Sequence, residues 1–362
     1  MTSRRSWLFF SIISIGLFLI GIDNSILFTA LPVLQEQLHT TENQGLWIIN
    51  AYPLVMCGLL LGAGTLGDRI GHRRMFLWGL ALFGVASLAA ALAPNAWFLV
   101  IARGFLGAGA ATMMPATLAL IRLTFPNERE RNTAIGIWGS VFVIGSVTGP
   151  IIGGFLLQFF WWGSIFLINV PIVALTWAAT LATAPPNLHN PNQKWDFWAS
   201  FFALLTLCGL VLAIEQTVSA HRSIPALAFG LVALPVGAIL FQRRQRSLPE
   251  PLVDFSLFRS PVFFGGVLAA GVSTVLASGT QLMTSQRFQL VGGFTPFQAG
   301  LLSAAMAASA FPSSILAGAF CIASGSDASW SPASSSPHSA HYFRRSRCTT
   351  CLYLSRALCS AA

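Results

Sequence analysis

Apolar runs long enough to cross a lipid bilayer follow one another from about residue 7 to about residue 322, separated by short polar loops. A hydrocarbon core of about 30 Å takes about 20 apolar residues per helical crossing. Backbone groups in that core find no water, so each run must close its hydrogen bonds within itself. The runs predict ten helices, over about 7–33, 46–66, 75–93, 97–120, 134–158, 164–184, 197–219, 224–241, 262–284 and 298–322. The expected fold is all-α, a polytopic membrane protein. Several runs exceed 20 residues, which permits tilt without fixing an angle.

Composition excludes the main alternatives. Charged residues make up 9% of the 362 and hydrophobic ones 55%, whereas soluble domains carry about 25% charged residues. A soluble enzyme, a disordered chain and a nucleic-acid-binding domain are all ruled out on that ground. No G-x-x-x-x-G-K-[ST] loop, H-E-x-x-H pair or G-x-S-x-G elbow occurs, so neither ATP use nor a hydrolytic site is indicated. The expectation is no enzyme, no catalytic residue, no cofactor and no metal.

Charge placement predicts orientation. Arg4, Arg5, Arg69, Arg73, Arg74, Arg122, Arg129, Arg131, Lys194, Arg243, Arg244, Arg246 and Arg259 fall in alternate connections, and the opposite loops hold only Arg222 and Arg287. The positive-inside rule then puts the N-terminus and these arginines in the cytoplasm. Arg4 and Arg5 before an apolar run also resemble an export signal, but no small-x-small cleavage site follows, and an uncleaved first helix is the better reading. After about Phe320 the chain turns rich in serine, with Arg344, Arg345 and Arg347 close together. That tail reads as unfolded cytoplasmic polypeptide, such as a shifted reading frame or a truncated gene would produce. Within it, His338, His341, Cys348 and Cys351 imitate a zinc site, but their spacing and the lack of any core around them make this coincidence.

Asp23, Arg103 and, at the end of the seventh run, Glu215 lie inside predicted spans, where such groups are costly and are functional candidates. Asp23 sits deep in helix 1. It could bind a cationic substrate and a proton in competition, or be a structural carboxylate bonded to Asn24, Ser25 or backbone. Arg103 lies early in helix 4. It could face a central cavity and influence a proton site without titrating, or snorkel to the interface. Glu215 ends the seventh run and reads as a solvated helix-end residue. The aromatics could line an apolar pocket for a lipophilic cation or form interfacial belts. Trp7, Trp47, Trp97, Trp161 and Trp162 lie near span ends, which suits belts.

Two motifs have physical content of their own. Between helices 2 and 3, Gly64, Gly67, Asp68, Arg69, Gly71, Arg73 and Arg74 form a tight polar loop. Glycines permit the turn, and Asp68 and the arginines can pair with each other and with helix ends. In helix 5, Gly145, Gly149 and Gly153 recur every four residues and share one face. With Pro150 and Gly154 they offer close helix packing and a possible bend, for a gating seal or for packing alone.

These segments resemble the major facilitator superfamily. The loop at 64–74 is similar to its cytoplasmic signature, and 99–109 to its helix 4 signature with an intramembrane arginine. The stretch 145–154 is similar to the helix 5 signature of its antiporters. Residues 22–32, 47–52 and 165–171 resemble the fourteen-helix drug:proton antiporter branch. The resemblance spans about 7–320 and departs at Trp161-Trp162-Gly163-Ser164, where the family usually shows a W-R-W-type pattern.

The resemblance implies a major-facilitator-like bundle, apparently C-terminally truncated. Residues 1–184 would be a six-helix half, 185–260 an inserted helix pair with linkers, 261–321 the start of a second half, and 322–362 the divergent tail. It implies proton-coupled efflux of small amphiphilic or cationic compounds such as drugs. The partners would be that substrate, protons and the lipid bilayer, without nucleic acid, in a monomer of the bacterial inner membrane. Asp23 and Arg103 would carry coupling, 64–74 a conformational latch, and the helix 5 glycines a seal. The alternative is a non-transporting membrane fragment of a disrupted transporter gene.

Overall fold

The computed structural model describes residues 3–306, apart from 189, 191–194, 219–222 and 248–258, with backbone only at Ser3, Leu61, Val218 and Val262. Its elements are α1 (Ser3–Gln37), α2 (Glu42–Ile70), α3 (His72–Ala91), α4 (Ala96–Thr124), α5 (Glu128–Phe159), α6 (Ser164–Leu167), α7 (Asn169–Thr183), α8 (Phe197–Val218), α9 (Ile224–Ser247) and α10 (Pro261–Leu290). Residues 296–306 are again helical. The protein is an all-α, multi-pass membrane bundle. Among the described residues, eight helical spans are long and apolar enough to cross a bilayer, counting α6 and α7 as one, and α2 makes a ninth if its two segments, bent by 58°, are one crossing. The predicted tenth helix is represented by 296–306. Its remainder, the serine-rich tail and the His338, His341, Cys348 and Cys351 pattern lie outside the described residues.

Polar residues at the ends decide where each helix begins. Thr41 Oγ1 accepts from the Gln44 amide at 3.3 Å while Gln44 Oε1 accepts from the Thr41 amide at 2.9 Å. This reciprocal cap starts α2 four residues before the apolar run does. Asn95 Oδ1 accepts from the Phe98 amide and Asn127 Oδ1 from the Arg129 amide, both at 2.9 Å, starting α4 and α5. Glu128 and Glu130 lie in the first turn of α5, where the helix dipole favours acid. The sixth expected helix is present as one apolar span, Ser164–Thr183, with only a local irregularity at Ile168, whose backbone stays helical at φ −58° and ψ −29°. Pro171 has no amide hydrogen to give the Leu167 carbonyl four residues before it, which accounts for the irregularity.

Packing is organised around α1. It lies along α5, while α4 packs on α2 and α3, α7 on α3 and α1, and α8 on α9 and α2. Without a hydrophobic drive between helices in lipid, such packing depends on close fit. The buried core draws on Phe9, Ile13, Leu19 and Ile26 of α1, Tyr52 of α2, Phe76 and Phe83 of α3, and Leu99, Leu106 and Met113 of α4. Arg244 of α9 holds Asp196, just before α8, at 2.7 Å, and Asp196 also caps the Ala199 amide. That pair fastens one end of the α8–α9 hairpin. By contrast, the apolar stretch of α10 contains no fully buried residue. It meets α1 where Gln289 Nε2 donates to the Thr29 carbonyl at 2.9 Å.

Candidate functional site

Asp23 and Arg103 meet inside the bundle. Arg103, in the second turn of α4, donates through Nη1 to Asp23 Oδ2 of α1. Both are sealed, at 1% and 0% exposure. Arg103 does not snorkel, and its guanidinium does not open onto a cavity. Its Nε donates to the Ile48 carbonyl of α2 at 3.2 Å, and its guanidinium carbon lies 4.5 Å from the centre of the Tyr52 ring. The aromatic face supplies a further favourable contact for the buried cation. Asp23 does not bond Asn24 or Ser25. Ser25 Oγ instead donates back to the Gly21 and Ile22 carbonyls of its own helix.

Three residues that sequence reasoning left out complete the cluster. Tyr52 provides the ring. Asn169, the first residue of α7, has its Nδ2 3.5 Å from Asp23 Oδ1 and donates to Ser87 Oγ of α3 at 3.2 Å. Asn169 Oδ1 is buried and finds no hydrogen-bond partner among the described residues. Five helices thus contribute to one cluster, with α4 and α7 bonding the Asp23 carboxylate and α2 and α3 bonding its two partners. Asn169 is buried inside the bundle, near the start of the Ser164–Thr183 span. An asparagine beside a proline in a membrane span was the signal available in the sequence.

The glycine motif of α5 is also brought to α1. Gly145, Gly149, Pro150, Gly153 and Gly154 are all buried. A β-carbon on Gly145 would lie 2.6 Å from the Phe18 carbonyl oxygen, and one on Gly149 would lie 2.9 Å from that of Ile22. Side chains at these positions would force the helices apart. Gly153 faces Ile26, and Gly154 faces the backbone of Pro296 and Phe297. The helix 5 motif therefore touches α1 on both sides of Asp23, at Ile22 and Ser25.

The loop motif is a hinge of one residue. Gly71 alone separates α2 from α3, with φ at +92°, which favours glycine. Asn187, beyond α7, spans it: Nδ2 donates to the Ile70 carbonyl at 2.8 Å and Oδ1 accepts from the Arg74 amide at 3.2 Å. Arg73 donates to the carbonyls of Leu181 at 3.1 Å and Pro185 at 3.4 Å, satisfying the end of α7. Asp68 lies 3.1 Å from His72 Nε2 rather than against an arginine, and its carbonyl accepts from the Asn190 amide. Gly67 packs under the His72 ring, while Gly64 has open space where a side chain would project. Arg69 and Arg74 are exposed, Arg69 in the last turn of α2. The expected pairing with a helix end is present at Arg73. The expected pairing of Asp68 with the arginines is not, because His72, four residues on, stands on the same helical face.

The site thus combines a sealed acid–arginine pair, a glycine-packed neighbouring helix and a clamped interhelical loop. The model of the Major Facilitator Superfamily matches residues 13–325, and the chain belongs to that superfamily. It is 38% identical over 297 residues to the methyl viologen resistance protein SmvA of Salmonella typhimurium, a match covering 82% of this chain and 60% of the relative. It is also 38% identical over 307 residues to the multidrug efflux pump LfrA of Mycolicibacterium smegmatis, covering 83% and 60%. The methylenomycin A resistance protein of Streptomyces coelicolor is 35% identical over 290 residues, covering 79% and 60%. The chain spans about 60% of the length of these curated relatives.

Proposed function

We propose that the chain serves proton-coupled efflux of small amphiphilic or cationic compounds, and that the Asp23–Arg103 pair carries the coupling. The observation that supports this most directly is the pair itself, buried and bordered by the helix that meets the α5 glycines. Relatives named for methyl viologen resistance and for multidrug efflux support the substrate class.

The chemistry follows from unequal partners. A guanidinium keeps its charge, whereas a carboxylate can take a proton. A proton on Asp23 neutralises one partner and leaves Arg103 with a carbonyl and an aromatic face. An uncompensated buried charge is strongly unfavourable. The bundle then favours an arrangement that gives the arginine another partner. Because Asp23 stands between Ile22 and Ser25, movement of α1 is passed directly to Gly149 of α5. In this reading the α5 glycines and Pro150 seal one side of the pathway. Asp68, Arg69, Arg73 and Arg74, with Gly64, Gly67 and Gly71, form a latch that is made and released at the hinge.

The same reading assigns 1–184 to a six-helix half, 185–260 to an inserted pair and 261–321 to the start of a second half, with the halves rocking about a central site. It places the N-terminus in the cytoplasm of a bacterial inner membrane, following the arginine bias. The working unit is a monomer, exchanging substrate for protons without nucleic acid or catalysis.

The test is uptake of ethidium into inside-out vesicles from cells expressing the full chain. Energised wild-type vesicles should accumulate the dye, and Asp23→Asn and Arg103→Ala should abolish accumulation at equal expression. Accumulation that survives both substitutions would sink the coupling assignment. No accumulation by the wild-type chain would favour the non-transporting reading.

A further inference from the structure

Arg103 takes one oxygen of Asp23, Oδ2, and leaves Oδ1 facing Asn169. A proton arriving on the carboxylate therefore belongs on Oδ1, because Oδ2 already accepts from a guanidinium, which has only hydrogens to give. What stands opposite Oδ1 is an amide. Asn169 Nδ2 lies 3.5 Å away, longer than the usual distance of about 2.9 Å, so the side chain is not clamped at that end. Its own Oδ1 is buried and accepts no hydrogen bond among the described residues.

Ser87 is the other partner of this amide, and it differs from other buried hydroxyls of the bundle. Those of Ser14, Ser25, Thr176 and Thr180 each donate back to a carbonyl of their own helix. Ser87, fully enclosed, is paired across to Asn169 at 3.2 Å. Its hydroxyl can both give and take. The amide thus has two neighbours that can each reverse, Ser87 by rotating its hydroxyl hydrogen and Asp23 by gaining a proton. With Asp23 ionised, the two amide hydrogens have two acceptors, Asp23 Oδ1 and Ser87 Oγ. With Asp23 protonated, the amide turned over offers the two lone pairs of its carbonyl to two hydroxyls. Among the described residues, the ionisable side chains facing Asp23 are Arg103 of α4 and Tyr52 of α2. The charges of α5 lie at its start and Arg287 of α10 in its last turn, while α7 and α3 bring only Asn169 and Ser87. Glu215 stands apart: its oxygens are shut off from solvent beside Trp47, so it is not the solvated helix-end residue expected.

We propose that Asn169 is the positioning residue for the coupling proton: its amide donates to the ionised Asp23 and turns over to accept from the protonated one, with Ser87 reversing in step. The proposal rests on the reading of Asp23 as the coupling carboxylate. The proton comes from water and adds to Oδ1, and no other covalent bond forms or breaks. The two states are not equal. A hydrogen bond to an ionised acceptor is roughly twice as strong as a neutral one. The turned amide also places its NH2 where the carbonyl now finds no partner. Asn169 therefore gives more to the ionised form, while still offering the protonated form an acceptor. A carrier that must load and unload one carboxylate inside a bundle needs both.

The test is infrared titration of the purified full chain in liposomes, reading the carbonyl band of a protonated carboxylic acid that Asp23→Asn removes. In Asn169→Leu the midpoint of that band should move to higher pH by about one unit, a tenfold change in proton binding. Ser87→Ala, a smaller change that serves where the Asn169 variant does not fold, should move it the same way by less. Thr176→Val removes a hydroxyl bonded within its own helix and should leave the midpoint in place. With asparagine labelled at its side-chain carbonyl, the wild type should show an amide band that shifts across the same midpoint, and Asn169→Leu should lack that shift. Equal midpoints in the wild type, Asn169→Leu and Ser87→Ala would overturn the proposal and leave the coupling reading standing. A carboxyl band from Asp23 that appears at no pH the protein withstands would contradict the coupling reading itself, and this proposal with it.

Discussion

Asp23 and Arg103, 80 residues apart in sequence, form an ion pair in which both side chains are shut off from solvent. Neither charge could stay where it is without the other. Desolvation opposes each ion separately, and mutual attraction with added hydrogen bonds offsets that cost only when both are present.

Stability should therefore respond non-additively to mutation of the pair. Arg103→Leu alone strands the carboxylate and is expected to cost roughly 3–5 kcal/mol. Asp23→Asn with Arg103→Leu removes both charges and should recover most of that loss. Equilibrium unfolding in mixed detergent measures it, and a double variant no more stable than Arg103→Leu would contradict the pairing as an energetic unit.

The contact of α1 with α5 predicts position-specific intolerance of side chains. Gly149→Leu would drive into Ser25 and the Ile22 carbonyl and should destabilise by about 1–3 kcal/mol. Gly136, on the same helix, has nothing within 4 Å of an added β-carbon. Gly136→Ala should be neutral or should gain about 0.5–1 kcal/mol from helix propensity. Equal losses at the two positions would mean that the close approach is not what the glycine face provides.

The hinge carries its own expectation. Gly71→Ala meets both a positive φ and the Asn187 amide, so a loss of about 1–3 kcal/mol is expected. Thermal unfolding of the detergent-solubilised protein tests this.

Asn187→Ala should speed hydrogen exchange at the Arg74 amide, whose acceptor it removes, and should lower stability by about 1–2 kcal/mol. Unchanged exchange at Arg74 would show that the clamp does not persist in the membrane.

What was legible in sequence differs between parts of the molecule. The helices were legible because the bilayer requirement is written in run length. Their ends shifted outward at α2, where the Thr41–Gln44 cap lies in polar sequence that hydropathy ignores. Asp23 and Arg103 stood out because charge is rare in spans, yet nothing local told which would meet which. Tyr52, Ser87 and Asn169 were hidden because uncharged polar residues in membrane helices are common. Asn187 was hidden because a lone asparagine in a proline-containing loop carries no periodicity. Its role exists only once the end of α7 returns to the Gly71 turn. Asp68 was matched to the wrong partner because the arginines are numerous, whereas helical geometry favours His72.

If proton movement and substrate movement share the Asp23–Arg103 pair, each should drive the other through it. The most direct measurement is proton flux in proteoliposomes of the purified full chain, followed with an entrapped pH-sensitive dye as ethidium is added. A shared pair gives a substrate-dependent proton flux in the wild type and its loss in Asp23→Asn. Ethidium-dependent proton flux that persists at the wild-type rate in Asp23→Asn would contradict it.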